Sequence, residues 1–216
     1  MVKMDISPEQ KQLYRDEGYM ILERAIPKPN LDLLREQCQI AIDRIDAQMD
    51  DEGTDKLGVW HGDAQGTLNF KNHRGSRYFI DNCFKQQPDL RQFLFSELMA
   101  ELCRATLGDN AYLFWEQYVI KGAQKGKKFS WHQDSGYVNY PDHKPYLSCW
   151  CALDDMSEAN GTVHLLPFSQ VGIRSWVQHI VDDDSNDKVG YFGSEPGLTV
   201  EMEAGSIVAF TSLNFH

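Results

Sequence analysis

A histidine and an aspartate stand two residues apart in Trp131-His132-Gln133-Asp134, and a further histidine, His216, closes the sequence. On an extended strand, side chains two apart point to the same face, so His132 and Asp134 could reach one metal while Gln133 faces away. Two histidines and one carboxylate are the ligand set of non-haem Fe(II) oxygenases, because they leave one face of the metal open for a cosubstrate and O2. The spacing therefore predicts a metal site, with His216 as the candidate third ligand.

An isolated H-x-D pair is often only a surface histidine beside a solvated aspartate. Here Phe129-Ser130-Trp131 leads into the pair with the alternation of a half-buried strand, and the turn signal of Gly136 ends it. This context places the pair at the end of a strand that faces an interior. A zinc hydrolase is conceivable, but the H-E-x-x-H helix of the zincins is missing and no general base stands beside the pair.

Helices come first along the chain. Ser7 and Gln10 form a capping-box pattern that predicts a helix from Pro8 to Asp16, and Asn30 is a candidate N-cap for a longer one. A third helix is predicted from Pro88 to Leu107. Short β-rich segments then alternate with Gly, Pro and Asp turns, near 111–121, 129–134, 146–153, 162–166, 198–202 and 206–211. The sum is an α+β chain with helices packed on a mainly β sandwich or barrel.

Length and composition limit the function. A chain of 216 residues favours one domain, and no stretch is long and apolar enough for export or for crossing a membrane. A net charge of −11 argues against a nucleic-acid partner. The five cysteines are odd in number and lack C-x-x-C spacing, so we expect them to be reduced. We therefore expect a cytoplasmic protein of open oligomeric state.

Several segments together resemble the phytanoyl-CoA dioxygenase family of Fe(II)- and 2-oxoglutarate-dependent oxygenases. The resemblance extends over nearly the whole chain, although Gln170 stands where the family usually has histidine. Its segments are Ser7-Pro8-Glu9-Gln10, Gly18-Tyr19-Met20-Ile21-Leu22, Trp131-His132-Gln133-Asp134, the strand 146–155, Asn160-Gly161-Thr162-Val163-His164-Leu165-Leu166-Pro167-Phe168-Ser169-Gln170, and Glu203-Ala204-Gly205-Ser206-Ile207-Val208-Ala209-Phe210.

The resemblance implies a double-stranded β-helix, the cupin-like jelly roll, with N-terminal helices packed on it. We expect one dioxygenase domain over 1–216, with a helical part to about 110 and the jelly-roll core from about 111. It also implies Fe(II) held by His132, Asp134 and His216, with 2-oxoglutarate and O2 as cosubstrates. A C–H bond of a small molecule is then hydroxylated, with release of succinate and CO2. The carboxylate of Asp134 favours hydroxylation, or a related desaturation or cyclisation, over halogenation, because halogenating relatives carry a small residue there.

Other site residues follow less directly. Trp150 matches a tryptophan that lines the 2-oxoglutarate pocket in some relatives, and Gln117 could donate to the keto acid. The alternatives are a core aromatic for Trp150 and, favoured over the cosubstrate role, a hydrogen-bonded buried amide for Gln117. Tyr137, Tyr140 and Arg74 are candidates for substrate contact, whereas His179 is expected to be solvated. The family's 2-oxoglutarate-binding arginine follows the distal histidine, so we expect the natural chain to continue past His216. The alternative function is a catalytically inactive jelly roll that binds a metal or ligand.

Overall fold

The computed structural model describes residues 6–52, 59–60, 77–122, 129–138, 144–181 and 187–216. Its α-helices are α1 (Pro8–Glu17), α2 (Lys28–Glu52), α3 (Arg91–Leu94), α4 (Glu97–Thr106) and α5 (Phe168–Val171). Its strands are β1 (Tyr19–Leu22), β2 (Val59–Trp60), β3 (Arg77–Asp81), β4 (Gln117–Lys121), β5 (Leu147–Cys151), β6 (His164–Leu165), β7 (Ile180–Val181), β8 (Lys188–Val189), β9 (Leu198–Thr199) and β10 (Ile207–Thr211). Helices dominate the first half and strands the second, in accord with the α+β prediction.

The start of α1 confirms the predicted capping box. The hydroxyl of Ser7 accepts from the Gln10 main-chain N–H at 3.2 Å, and the Gln10 side chain accepts from the Ser7 N–H at 2.9 Å. These bonds satisfy two of the donors that a helix N-terminus leaves without intrahelical partners.

The predicted start of the second helix was wrong by three residues, because an N-cap at Asn30 places the first helical residue at Leu31 and the helix begins at Lys28. The main-chain N–H groups of Asn30 and Leu31 both donate to the carbonyl of Pro27, at 2.9 and 3.0 Å. Asn30 therefore lies inside the first turn of α2, which begins at Lys28, and does not act as the N-cap.

The predicted third helix is interrupted. A 3-10 turn over Pro88–Leu90 leads into α3, and α4 starts afresh after Ser96. The Ser96 hydroxyl accepts from the Met99 N–H at 3.4 Å, so this serine is an N-cap within the segment that the apolar spacing presented as continuous.

The main sheet has the order β1–β10–β5, with both neighbours antiparallel to β10. All five residues of β10 are buried because both faces of the strand are covered. Ile207 and Ala209 face the core under the helices, while Val208 and Phe210 face a second core that includes Leu165 and Val200. Because successive side chains point to opposite faces and each face packs against an apolar core, the strand is a continuous apolar run in the sequence.

The described residues also form a second three-stranded sheet, β2–β3–β4, and the two-stranded sheets β6–β9 and β7–β8. The strand predicted over 111–121 forms only at Gln117–Lys121, and 111–116 has no regular structure. Strands β1, β2 and β3 precede residue 110. The sheets therefore contain strands from the helical part as well as from the expected jelly-roll core. Within the described parts of the chain, no helix combines the length and apolar character needed to span a bilayer.

Candidate metal centre

The structure brings His132, Asp134 and His216 together. One nitrogen of each imidazole and one oxygen of the carboxylate all lie within 4.8 Å of one another. Within this cluster, His216 Nε2 lies 3.5 Å from Asp134 Oδ1. His132 is buried at 8% exposure, while the Asp134 carboxylate is the most open of the cluster. The three predicted ligands therefore converge on one point that is reachable from outside.

The strand predicted over 129–134 was wrong. Residues 129–133 have no regular structure, and Asp134 opens a 3-10 turn that ends at Gly136. The N–H of Gly136 donates to the carbonyl of Gln133 at 2.8 Å, and that of Tyr137 donates to Asp134 at 3.0 Å. The turn redirects the chain after His132, and it still presents His132 and Asp134 to one side while Gln133 faces away.

The opposite side of the cluster comes from the chain after β10. There the main chain of His216 lies beside that of His132, and the N–H of each donates to the carbonyl of the other, at 3.0 and 3.2 Å. One residue earlier, the Phe215 carbonyl accepts from Leu166 N–H at 2.9 Å. His216 is thus held from both sides by main-chain hydrogen bonds.

Hydrogen bonds define which ligand atoms remain available. His132 Nδ1 lies 2.8 Å from the Ser130 carbonyl and His216 Nδ1 lies 3.3 Å from the Asn214 carbonyl. A carbonyl accepts only from a protonated Nδ1, so Nε2 of each ring is the nitrogen that remains for a metal. The Ser148 hydroxyl on β5 donates to Asp134 Oδ2, which leaves Oδ1 turned toward His216.

The protonation states suit a cation. Burial and the neighbouring His216 lower the pKa of His132 to about 3, so its ring is neutral near pH 7. Burial alone would raise the pKa of Asp134, but His216, His132 and the Ser148 hydroxyl together hold that pKa below its ordinary value. A neutral His132 imidazole beside an ionised Asp134 carboxylate is the form in which these two side chains bind metals.

The donor set fits Fe(II). Two imidazole nitrogens and one carboxylate oxygen, grouped on one side of a point with the other side open, match the facial arrangement of non-haem iron sites. The Nδ1–H groups bonded to carbonyls and the serine bonded to the carboxylate are the supporting hydrogen bonds that metal ligands usually carry.

The cluster lies in one large cleft of about 2400 Å³, which Trp150, Gln117 and Tyr137 also line. Trp150 lies on the same face of β5 as Ser148, two residues away, and packs against the second core. Gln117 is exposed at the start of β4, opposite Asp81 of β3. Both positions are compatible with the cosubstrate roles expected for them.

Tyr137 is engaged with the protein on two sides. Its ring meets the edge of the His132 ring with centroids 5.2 Å apart, and its hydroxyl accepts from Lys188 N–H at 3.1 Å. The residue therefore packs against a candidate ligand as well as lining the cleft. Tyr140 and Arg74, the other candidates for substrate contact, lie outside the described residues, and Gln170 is exposed in α5.

Sequence reasoning missed two residues of this region. Ser148 carries no motif, and only its position opposite Phe210 on β10 places its hydroxyl at Asp134. The expectation that His179 is solvated was wrong, because its side chain is buried and bonds to the main chain of Gln133. Both contacts join segments far apart in the sequence, so local pattern held no signal for them.

A family model described as phytanoyl-CoA dioxygenase (PhyH) matches residues 14–216. The chain belongs to this family. It is 34% identical over 146 residues to an ectoine dioxygenase from Bordetella parapertussis, a match that covers 60% of this chain and 47% of that relative. A probable phytanoyl-CoA dioxygenase from Caenorhabditis elegans is 22% identical over 223 residues, covering 98% of this chain and 69% of the relative. The chain thus spans about half the length of the ectoine dioxygenase.

Solved structures confirm the fold expected for a phytanoyl-CoA dioxygenase family member. EvdO2 from Micromonospora carbonacea var. aurantiaca, complexed with 2-oxoglutarate, superposes with a TM-score of 0.69 at 21% identity, covering 99% of this chain and 84% of that one. EctD from S. alaskensis, with 2-oxoglutarate and 5-hydroxyectoine, gives a TM-score of 0.67 at 16% identity, covering 100% and 71%. The prediction of a jelly-roll oxygenase fold with added helices is confirmed.

Proposed function

We propose that this protein is a non-haem Fe(II)- and 2-oxoglutarate-dependent dioxygenase that hydroxylates a C–H bond of a small molecule, releasing succinate and CO2. The observation that carries the proposal is the convergence of His132, Asp134 and His216, with their free donor atoms within 4.8 Å, in a member of the phytanoyl-CoA dioxygenase family. Solved proteins of the same fold that hold 2-oxoglutarate support the choice of cosubstrate.

In this proposal the three side chains hold the iron through Nε2 of His132, Nε2 of His216 and Oδ1 of Asp134. The iron, when bound, supplies the activation of O2 and the oxidation of the keto acid. Ser148 keeps one carboxylate oxygen occupied, so Asp134 offers the metal a single oxygen. A ligand set of this size leaves coordination positions for the keto acid and O2.

Aromatic residues form the wall beside the iron position. The ring of Phe129 lies 6.0 Å from that of His132 and 5.9 Å from that of Phe79, and Tyr137 covers the other edge of His132. Such a wall excludes water from the ligand side and favours an apolar or planar part of the substrate near the metal. Trp150 and Gln117, which line the same cleft, are the proposed contacts of 2-oxoglutarate.

The proposal does not specify the identity of the substrate. The relatives are named for ectoine and for phytanoyl-CoA, which differ in size and charge, and the fold alone does not choose between such substrates.

The test measures succinate formed from 2-oxoglutarate with Fe(II), O2 and ascorbate, with and without a panel of candidate small molecules. Wild-type protein should form succinate slowly alone and faster with a substrate, while Asp134→Ala should form none. Asp32→Ala, which removes an exposed carboxylate of α2, is the matched control and should behave as wild type. Unchanged turnover in Asp134→Ala would refute the ligand assignment. Iron binding without any consumption of 2-oxoglutarate would favour the inactive binding module.

A further inference from the structure

His179 fills a narrow gap between two glycines beside the metal-site turn. Its side chain is 8% exposed. A Cβ at Gly136 would lie 2.5 Å from His179 Cε1, and a Cβ at Gly190 would lie 2.6 Å from His179 Nε2. Contacts that short do not occur between real atoms, so both positions need glycine while the ring is in place. The ring is therefore wedged against the turn that follows Asp134.

The hydrogen bonds of His179 define one tautomer. Its Nε2 accepts from the main-chain N–H of Gln133 at 2.9 Å, and its Nδ1 lies 2.9 Å from the Val177 carbonyl. Nε2 is therefore unprotonated, and Nδ1 carries the proton. Burial lowers the pKa of His179, in accord with a neutral ring. Gln133 stands between His132 and Asp134, so His179 holds one of the two peptide N–H groups that lie between the α-carbons of the candidate ligands.

The side chain of Gln133 binds the same region. Its amide group donates to the carbonyls of Ser175 and Leu213, at 3.0 and 2.7 Å, and its oxygen accepts from Val177 N–H at 3.0 Å. Gln133 is completely buried, and every polar group of its side chain has a partner. The residue that faces away from the metal thus anchors the turn to 175–179.

Further hydrogen bonds connect residues 131–136 to Trp176 and to the segment 188–190. They are Gly190 N–H to the Trp131 carbonyl at 2.9 Å, Trp176 Nε1–H to the Ser135 carbonyl at 3.2 Å, and Lys188 Nζ to the Gly136 carbonyl at 2.9 Å. Residues 131–136 form no strand, so no sheet ladder fixes their shape. Bonds to 175–179, to 188–190 and to the chain at 212–216 take that role.

We propose that His179 is a positioning residue of the metal site, which fixes the turn bearing His132 and Asp134 by accepting the Gln133 N–H. The inference rests on the proposed function, because it assumes that His132 and Asp134 bind the metal. Both ring nitrogens of His179 are bonded to main-chain groups, so its hydrogen bonds position the ligands through the main chain. Without it, the Gln133 N–H would lose its partner in a buried place, and the turn would rearrange to find another.

The experiment titrates metal-free protein with Co(II), whose visible absorption reports the geometry of its ligands. His179→Ala removes both the acceptor and the ring, whereas His179→Gln places an amide oxygen near the position of Nε2. Gly190→Ala keeps every hydrogen-bonding group and displaces the ring. Gln87→Ala is the matched control, since Gln87 is also buried and bonds a main-chain carbonyl, that of Gln37 at 2.8 Å, in the helical part. Circular dichroism verifies the fold of each variant.

We expect His179→Ala and Gly190→Ala to bind Co(II) about tenfold or more weakly, with an altered visible spectrum. His179→Gln should recover much of the affinity and the wild-type spectrum, and Gln87→Ala should keep both despite lower stability. Wild-type affinity and spectrum in His179→Ala would overturn the inference, as would an equal loss in Gln87→Ala. Failure of the wild-type protein to bind Co(II) would instead refute the proposed function, so the two failures are distinguishable.

Discussion

His132 and His216 form a mutual main-chain pair, in which each residue donates its N–H to the carbonyl of the other, and their rings lie 4.2 Å apart. This is the hydrogen-bonded pairing of antiparallel strands, although neither residue lies in a strand of the sheets. Residues 84 positions apart in the sequence are therefore set side by side by backbone geometry. Two of the three candidate ligands are placed by the fold before any metal binds.

The neighbour of His216 should support this pairing. Phe215 is fully buried, and its carbonyl accepts from Leu166 N–H. Phe215→Ala should lower the free energy of unfolding by about 3–5 kcal/mol, because it leaves a cavity where a large ring was packed. It should also weaken metal binding, since His216 follows directly.

Urea denaturation and Co(II) titration of Phe215→Ala measure the two effects. Phe215→Leu, which keeps most of the apolar volume, should lose less of both. Equal metal affinity in Phe215→Ala and wild type would show that Phe215 plays no part in placing His216.

Ser148 should affect metal binding through its hydrogen bond to Asp134. Ser148→Ala removes the hydroxyl that occupies Asp134 Oδ2, so the carboxylate can rotate and lose its orientation toward the metal. We expect metal affinity to fall about 10- to 100-fold, as when supporting partners of metal ligands are removed elsewhere.

Ser148→Thr retains the hydroxyl and serves as the control. Competition with a metal-binding dye measures the affinity of each variant. If the alanine and threonine variants weaken binding equally, the hydroxyl is not what orients Asp134.

Stability of the metal-free protein should depend on pH through His132. Burial and His216 lower its folded pKa to about 3, while the unfolded chain has an ordinary histidine pKa of about 6.5. Between these values the unfolded state takes up a proton that the folded state does not. The free energy of unfolding should therefore fall as the pH decreases below about 6.5, by up to about 1.4 kcal/mol per pH unit for this one group.

Urea denaturation of metal-free protein between pH 7 and pH 4 provides the measurement. His132→Asn cannot take up this proton, so its stability should fall less steeply over the same range. Parallel slopes for the two proteins would contradict a buried neutral His132.

Sequence pattern was sufficient for the parts of this fold that local chemistry determines. The capping box at Ser7 and the apolar run of β10 are visible in a few adjacent residues, and both were predicted. The H-x-D spacing and the terminal histidine identified the metal cluster because a metal requires particular ligand types, whatever holds them.

The prediction was less successful where distant segments decide the structure. The sequence predicts a strand up to Asp134 because its aromatic alternation has the right period, but the main-chain partners of this segment lie near residues 179 and 216. His179 was assigned to solvent because its sequence neighbours are polar. Only tertiary packing against Gly136 and Gly190 buries it, and no local pattern encodes that contact.

The central claim is that His132, Asp134 and His216 hold one iron that also binds 2-oxoglutarate. Its most direct test is an anaerobic titration of metal-free protein with Fe(II) and then 2-oxoglutarate, recorded by visible absorption. We expect a weak charge-transfer band that needs both additions and is absent in His216→Ala. Iron binding with no such band, or a band that persists unchanged in His216→Ala, would contradict it.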